Sequence, residues 1–316
     1  MHKGPRYTEI EGLRLNQSFV PEIYRDAMNF KSGKDDVFVV TYPKCGTTWM
    51  TQIVALILRK GKPFTSKEDY FSFIPFLETT PMNQIVTMDK PRLFKTHLPL
   101  HQMNFSKKSK YIYVARHPSD CIVSFYHHCR FFPTYFFTDG TLEEFFEVFI
   151  KGEVDYGDYF DHLLAWYRLR NKSNVLFLSY ESMKSDPRGT CLKVAGFLGK
   201  DFYKILLDKD EAILKKVLKC SSLDYMKSTI NDFWNQQFIS FLSTDMQKAS
   251  LSLKKVTEVF KEAVLNGERS QGSFIREGRV GEGKVKLSKE QQERLKIYIH
   301  QKTTNSDIMN LWENID

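Results

Sequence analysis

The residues best suited to chemistry fall in one short loop, Tyr42-Pro43-Lys44-Cys45-Gly46-Thr47-Thr48-Trp49, which joins an apolar run to a helix-like stretch. Backbone N–H groups at such a helix start, with the positive end of the helix dipole, make an anion site. Lys44 adds a point charge, Gly46 permits close backbone approach, and Thr47 and Thr48 offer hydroxyl donors to phosphate oxygens. Gly-Thr-Thr alone reads as a tight turn with a helix cap. The complete Pro-Lys-x-Gly-Thr-Thr-Trp stretch, with a strand before it and a helix after it, favours phosphate binding. It differs from the nucleotide-hydrolase pattern G-x-x-x-x-G-K-[ST], because the lysine precedes the glycine and the first glycine is absent. Nothing in this loop calls for magnesium.

The elements that must hold this loop alternate in type. Val37 to Thr41 reads as a buried parallel strand, as do Arg92–Thr96, Tyr111–Ala115 and Val175–Ser179. Thr47 to Lys60 reads as a helix burying Trp49, Ile53, Leu56 and Ile57 and stopping at Gly61. Thr141 and Glu144 form a capping-box match, as do Ser288 and Gln291, and Arg188 to Leu198 ends at Gly199. Strands alternating with helices predict an α/β fold, one domain over 1–316 with a mostly parallel central sheet flanked by helices. Residues 61–91 and 228–284 show no clean period and read as irregular segments, either pocket walls and lids or plain surface loops.

Composition excludes several classes. Of 316 residues, 42% are hydrophobic and 27% charged, which suits a folded protein rather than a disordered one. The longest aliphatic run, Ile53 to Leu58, is far short of the roughly 20 residues a membrane span needs. The N-terminal stretch has no apolar segment of signal-peptide length. The five cysteines show no metal or disulfide spacing, which fits a reducing, cytoplasmic setting. The three N-x-S/T matches, at Asn16, Asn104 and Asn171, then read as chance. The net charge of +8 suggests an anionic partner, which could be nucleic acid, a membrane surface or a phosphorylated small molecule.

The TYPKCGTTW stretch resembles the phosphosulfate-binding loop of the cytosolic sulfotransferases, enzymes that move a sulfonate group from 3′-phosphoadenosine 5′-phosphosulfate (PAPS) to a hydroxyl or amine. The resemblance runs from about Gly12 to about Glu293 through several motifs in the family's order. It implies PAPS as the cofactor, no metal, and a P-loop-like cradle made by Lys44, Cys45, Gly46, Thr47, Thr48 and Trp49. Lys95-Thr96-His97-Leu98-Pro99 resembles the segment carrying the catalytic base, which makes His97 the base and places Lys95 on the transferring sulfonate. Arg116 and Ser124 match the positions that hold the 3′-phosphate. Ser124 is also implied to contact Lys44 and hold it off the bridging oxygen until the acceptor arrives. Tyr180 matches a tyrosine beside adenine, with Trp49 on its other side. Ser221 would supply an adenine contact, and Leu223 stands where the family has phenylalanine.

Arg276-Glu277-Gly278-Arg279-Val280-Gly281-Glu282-Gly283-Lys284 resembles R-K-G-x-x-G-D-W-K. Arg276 and Gly278 are kept, so the resemblance implies side-chain and backbone contacts to the 3′-phosphate. Glu277 replaces a lysine, so either it turns away and leaves its N–H as donor, or Arg279 compensates. Gly283 replaces a tryptophan in a segment that closes over the cofactor. The dimer motif K-x-x-x-T-V-x-x-x-E survives only as Lys284, Ser288, Lys289 and Glu293. Lys289 would face a like charge across a symmetric interface, so the chain reads as a monomer or an atypical dimer. The acceptor is implied to be a small aromatic molecule such as a phenol or catecholamine, in a pocket drawn from Phe76, Tyr126, His128, Phe233 and neighbouring aromatics such as Phe71, Trp234 and Phe238. His128 replaces an apolar wall residue of phenol-directed relatives. The readings set beside this one are a sterol or alcohol acceptor, a non-catalytic PAPS- or nucleotide-binding relative, a kinase-like phosphotransferase and a nucleic-acid binder. The family reading places the charge on one small polyanion and implies neither nucleic acid nor membrane.

Overall fold

The computed structural model describes residues 4–313. A hairpin of β1 (Tyr7–Ile10) and β2 (Leu13–Asn16) precedes the main sheet. It turns through Glu11 and Gly12, both at positive φ. Two four-residue strands are too short to show a period, so the sequence reading does not find them.

The central sheet contains β3 (Asp36–Thr41), β4 (Arg92–Thr96), β5 (Lys110–Ala115) and β6 (Val175–Ser179), all parallel, in the order β4-β3-β5-β6. These are the four strands read from the sequence, with one residue added at the start of β3 and of β5. The β3 strand is buried along its whole length, as expected of a parallel strand covered on both faces. The chain leaves β3 to form β4 on one side and then crosses to form β5 on the other. A crevice therefore opens beyond the carboxyl end of β3, where ligands of open α/β sheets bind.

Alternation along the strands sorts the core into two layers. Phe38, Phe94, Tyr111 and Tyr113 face an aromatic layer with Tyr42 and Trp166. Phe38 lies 5.1 Å from both the Phe94 and the Tyr111 ring. Val37, Val39, Leu93, Ile112 and Val114 face an aliphatic layer with Ile53, Val54 and Leu56. Much of the aromatic excess is therefore core rather than pocket wall.

The helix after the loop runs Thr47–Leu58 and is buried almost all round, with Trp49 half-exposed. Both capping boxes form, at Thr141/Glu144 and at Ser288/Gln291. The reading of 228–284 as irregular is corrected, because two long helices, Leu223–Ser243 and Leu251–Leu265, occupy much of it. The first buries only Met226, Ile230, Phe233 and Phe241 among its 21 residues, a stripe too thin to produce a visible period.

Candidate active site

Lys44 (φ 69°) and Gly46 (φ 103°) both take left-handed backbone, which bends the loop sharply between β3 and its helix. Gly46 packs flat on Tyr180, and a Cβ there would sit 2.8 Å from the Tyr180 ring. Only glycine therefore lets the loop lie this close. Cys45 turns away from the cleft, with its Sγ 3.7 Å from that of Cys121, so its contribution to the cradle is backbone alone. Thr47 Oγ1 is 2.6 Å from Thr41 Oγ1, whereas Thr48 borders the cavity half-exposed.

The parallel register sets Thr96, the last residue of β4, beside Val40 and brings His97 next to Thr41. His97 Nδ1 lies 2.8 Å from the Thr41 carbonyl oxygen. A carbonyl only accepts, so Nδ1 carries the proton and Nε2 keeps a free lone pair. The His97 backbone N–H donates to Glu78 Oε1 at 2.6 Å, and its ring lies edge-on to Phe76 and Tyr156, both at 5.4 Å. Burial pushes the imidazole down to about 3, against the pull of the Thr41 carbonyl, so it is neutral at physiological pH. Burial likewise raises Glu78 to about 7.

Two lysines converge beside this histidine. Lys95 lies over the Phe76 ring at 4.4 Å and is lowered to about 8 by burial. Lys44 is lowered to about 7 by burial and then by the Arg116 and Arg276 charges. Its Nζ sits 3.4 Å from His128 Nδ1 and over the Phe274 ring. Among the described residues the hydrogen-bond partner of Lys44 Nζ is His128, one helical turn beyond Ser124 on the Pro118–Phe131 helix. Ser124 borders the same cavity.

Arg116 is buried at the end of β5, over the Tyr180 ring. Its Nη1 donates to the Lys44 carbonyl and its Nη2 to the Arg279 carbonyl, while Nε is buried without a partner. Such an orphaned donor suits an arriving anion. Segment 276–284 packs against Arg116. Arg276 pairs bidentately with Glu282, and the Gly281 and Gly283 N–H groups donate to Asp120 at 2.9 and 2.7 Å. Both departures in this segment have local reasons. Arg279 pairs with Glu277 at 3.3 Å and offsets its charge. Gly283 lies so close to Ser119 that a Cβ would approach Ser119 C and Cβ to 2.4 Å, leaving no room for any larger residue.

Trp49 and Tyr180 meet edge-to-face at 5.5 Å, and Leu223 and Gly278 close the same end of the cavity. Leu223 Cδ1 is 3.1 Å from where a Gly278 Cβ would be, so this wall is tight. Ser221 borders it too, but its hydroxyl already donates to the Val217 carbonyl at 2.7 Å.

One cavity of about 1260 Å³ joins these parts, from Arg116 and Tyr180 at one end to Phe76, His97, His128 and Tyr135 at the other. Phe71, Trp234 and Phe238 border it as expected, together with Phe131 and Phe132. Two predicted wall residues do not. Tyr126 lies outside and donates its hydroxyl to the Gly140 carbonyl, and Phe233 is buried in the aliphatic core against Tyr70. Both sit on helix faces that turn toward neighbouring elements rather than the cavity. Wall residues that the sequence reading missed include Asn16, Asp155, Tyr156 and Phe274. Among the described residues there is no cluster of side chains suited to a metal, and no helix is long and apolar enough to cross a membrane.

A family model described as the sulfotransferase domain matches residues 34–307. Human sulfotransferase 1C2 is 30% identical over 97% of this chain and 95% of its own length. Rabbit amine sulfotransferase is 32% identical over 90% of this chain and 86% of its own. Among solved structures, mouse sulfotransferase SULT7A1 complexed with PAP superposes with a TM-score of 0.71 at 25% identity, covering 98% of each chain.

Proposed function

The chain belongs to the sulfotransferase family, and on that premise we propose that it moves the sulfonate group of PAPS to a hydroxyl or amine of a small aromatic acceptor, a phenol or catecholamine, with His97 as the general base. The observation that carries the role of His97 is its bond to the Thr41 carbonyl, which leaves Nε2 as the bare nitrogen beside Lys44 and Lys95. The site residues fit PAPS. Arg116 offers an unused buried Nε–H, and Gly46 and Gly278 let the backbone lie against Tyr180 and Leu223 where a Cβ would crowd them. The mouse relative whose structure resembles this one holds PAP.

In this reading the loop N–H groups of 45–48 and Thr48 bind the 5′-phosphosulfate, and Arg116, Ser124, Arg276 and Gly278 bind the 3′-phosphate. Tyr180, Trp49 and Leu223 enclose adenine, and Ser221 borders it. PAPS when bound supplies the sulfonate and a phosphate leaving group. His97 Nε2 takes the acceptor's proton as the oxygen or nitrogen attacks sulfur in line. Lys44 stabilises charge on the departing phosphate, and Lys95 stabilises charge on the sulfonate. Lys44 first has to leave His128, so His128 takes the restraining role that the sequence suggests for Ser124.

Phe76, 5.4 Å from the His97 ring, and His128 form walls of the acceptor site. We read residues 1–316 as one catalytic unit that works in the cytoplasm without a metal.

Incubation with ³⁵S-labelled PAPS and a panel of phenols, amines and sterols, without added metal, tests the reading. Label transfer to a phenol or catecholamine is the expected result, and transfer only to sterols replaces the acceptor class. PAPS binding with no transfer to any member would make the chain a non-catalytic relative. His97→Ala should lower turnover by about 10²–10⁴-fold, and a loss under about 3-fold would overturn its role.

A further inference from the structure

Beyond His97 and His128, the acceptor end of the cavity contains a carboxyl group that the transfer chemistry does not use. Asp155 is 3% exposed and borders the cavity between Tyr135 and Tyr156. Tyr135 donates its hydroxyl to Asp155 Oδ2. Asp155 Oδ1 is buried with no hydrogen-bond partner, and no lysine or arginine pairs with this carboxyl among the described residues. Tyr156 also borders the cavity, and its hydroxyl is likewise buried and unpartnered. Tyr156 has a φ of 64°, between Val154 and Gly157, and this left-handed turn puts consecutive residues on the cavity wall.

A buried carboxyl with one idle oxygen and no cation is costly to maintain for packing alone. The other acidic residues along the cavity include Asp69, paired with Arg59, and Glu277, paired with Arg279. Asp155 is placed to receive a donor from the cavity. The Tyr156 ring is 5.4 Å from the His97 ring, and the Tyr135 ring is 5.8 Å from the His128 ring. The two tyrosines that flank the carboxyl therefore each pack against a histidine at the acceptor end of the cavity.

We propose that the Asp155–Tyr135 pair anchors a cationic amine on the acceptor, so that a phenol bearing an alkylammonium tail is preferred over its neutral isostere. The proposal rests on the reading of the site as one of sulfonate transfer, and it narrows the acceptor class. Burial pushes Asp155 up to about 7, opposed by the Tyr135 hydroxyl and the Asn16 backbone N–H. An ammonium group beside it favours the carboxylate and completes the pairing.

The test compares tyramine with 4-propylphenol, which matches it in size but has no ammonium. Sulfonation with PAPS and calorimetric binding in the presence of PAP are both measured, for wild type and for Asp155→Asn. A hydrogen bond to a charged group predicts that Asp155→Asn lowers kcat/KM for tyramine about 10- to 100-fold more than for 4-propylphenol, with the same ratio in affinity. Equal effects on the two ligands would overturn the anchor and assign Asp155 to structure. Should Asp155→Asn fail to fold, the wild-type preference decides: no preference for tyramine over 4-propylphenol overturns the proposal. Asp155-dependent tyramine binding without sulfonation would retain the anchor and discard the transfer reading.

Discussion

Gly283→Ala makes a sharp test of how segment 276–284 closes on the site. The added Cβ would lie 2.4 Å from Ser119 C and Cβ, where ordinary contact begins near 3.4 Å. Ser119 sits in the first turn of the Pro118–Phe131 helix and is buried, so the mobile partner is the segment, which must retreat by about 1 Å. A retreat of that size stretches the bonds from Gly283 and Gly281 to Asp120, now 2.7 and 2.9 Å, past the useful range. Bonds to a buried carboxylate contribute about 1.5–3 kcal/mol each, so losing both costs at least about 3 kcal/mol. Arg276 and Gly278 travel with the segment. If binding PAP requires it closed, that cost is a fall in PAP affinity of about 100-fold. Calorimetric titration of PAP and a thermal melt read the two places where the energy can appear. Gly196→Ala is the control, since its Cβ meets nothing nearer than 3.7 Å. PAP affinity within about 3-fold of wild type together with an unchanged Tm would refute the reasoning.

Other outcomes follow from the same geometry. Lys44 and Lys95, lowered to about 7 and about 8, are partly neutral at pH 8, and bound phosphates favour their charged forms. PAP binding should therefore take up about one proton at pH 8 and almost none at pH 6, read from the dependence of binding heat on buffer ionisation. Equal heats across buffers at pH 8 would contradict this. Glu78 holds its proton up to about 7 in the fold but releases it near 4.5 when unfolded, so wild type loses stability as pH rises across that window. Glu78→Gln removes that loss, and urea unfolding should show the variant gaining on wild type between pH 5 and pH 8. A gap independent of pH would count against it. Phe76→Ala should raise the acceptor KM by about 10-fold through lost wall contact, whereas Tyr126→Phe, outside the cavity, should leave it within about 3-fold. Sedimentation should find no dimer that Lys284→Ala or Glu293→Ala dissociates, because Lys289 opposes a symmetric contact there.

Legibility in the sequence depended on how local each feature is. The loop from Tyr42 to Trp49 is read from adjacent residues, because a strand end, a glycine and a helix start together make an anion cradle. Three of the four parallel strands carry nearly continuous apolar runs, and all four match the sequence reading almost to the residue. The helix Leu223–Ser243 escaped because its buried stripe is four residues in 21. The hairpin at Tyr7–Asn16 escaped because its strands are shorter than any period.

The sequence by itself determined the family and the parallel sheet, and it singled out Lys44, Lys95, His97 and Arg116, which the fold brings to the border of one cavity. Tertiary structure alone decided how those groups are held and which side chains join them. It joined Lys44 to His128 rather than Ser124, left Asp155 facing the cavity with an idle oxygen, and pressed Gly283 onto Ser119. It also turned Tyr126 and Phe233 away from the pocket. The reason is physical: a motif fixes what a short stretch of backbone can bind. Which face of a helix looks into a cavity depends on its packing against elements far away in the chain, and no local spacing encodes that.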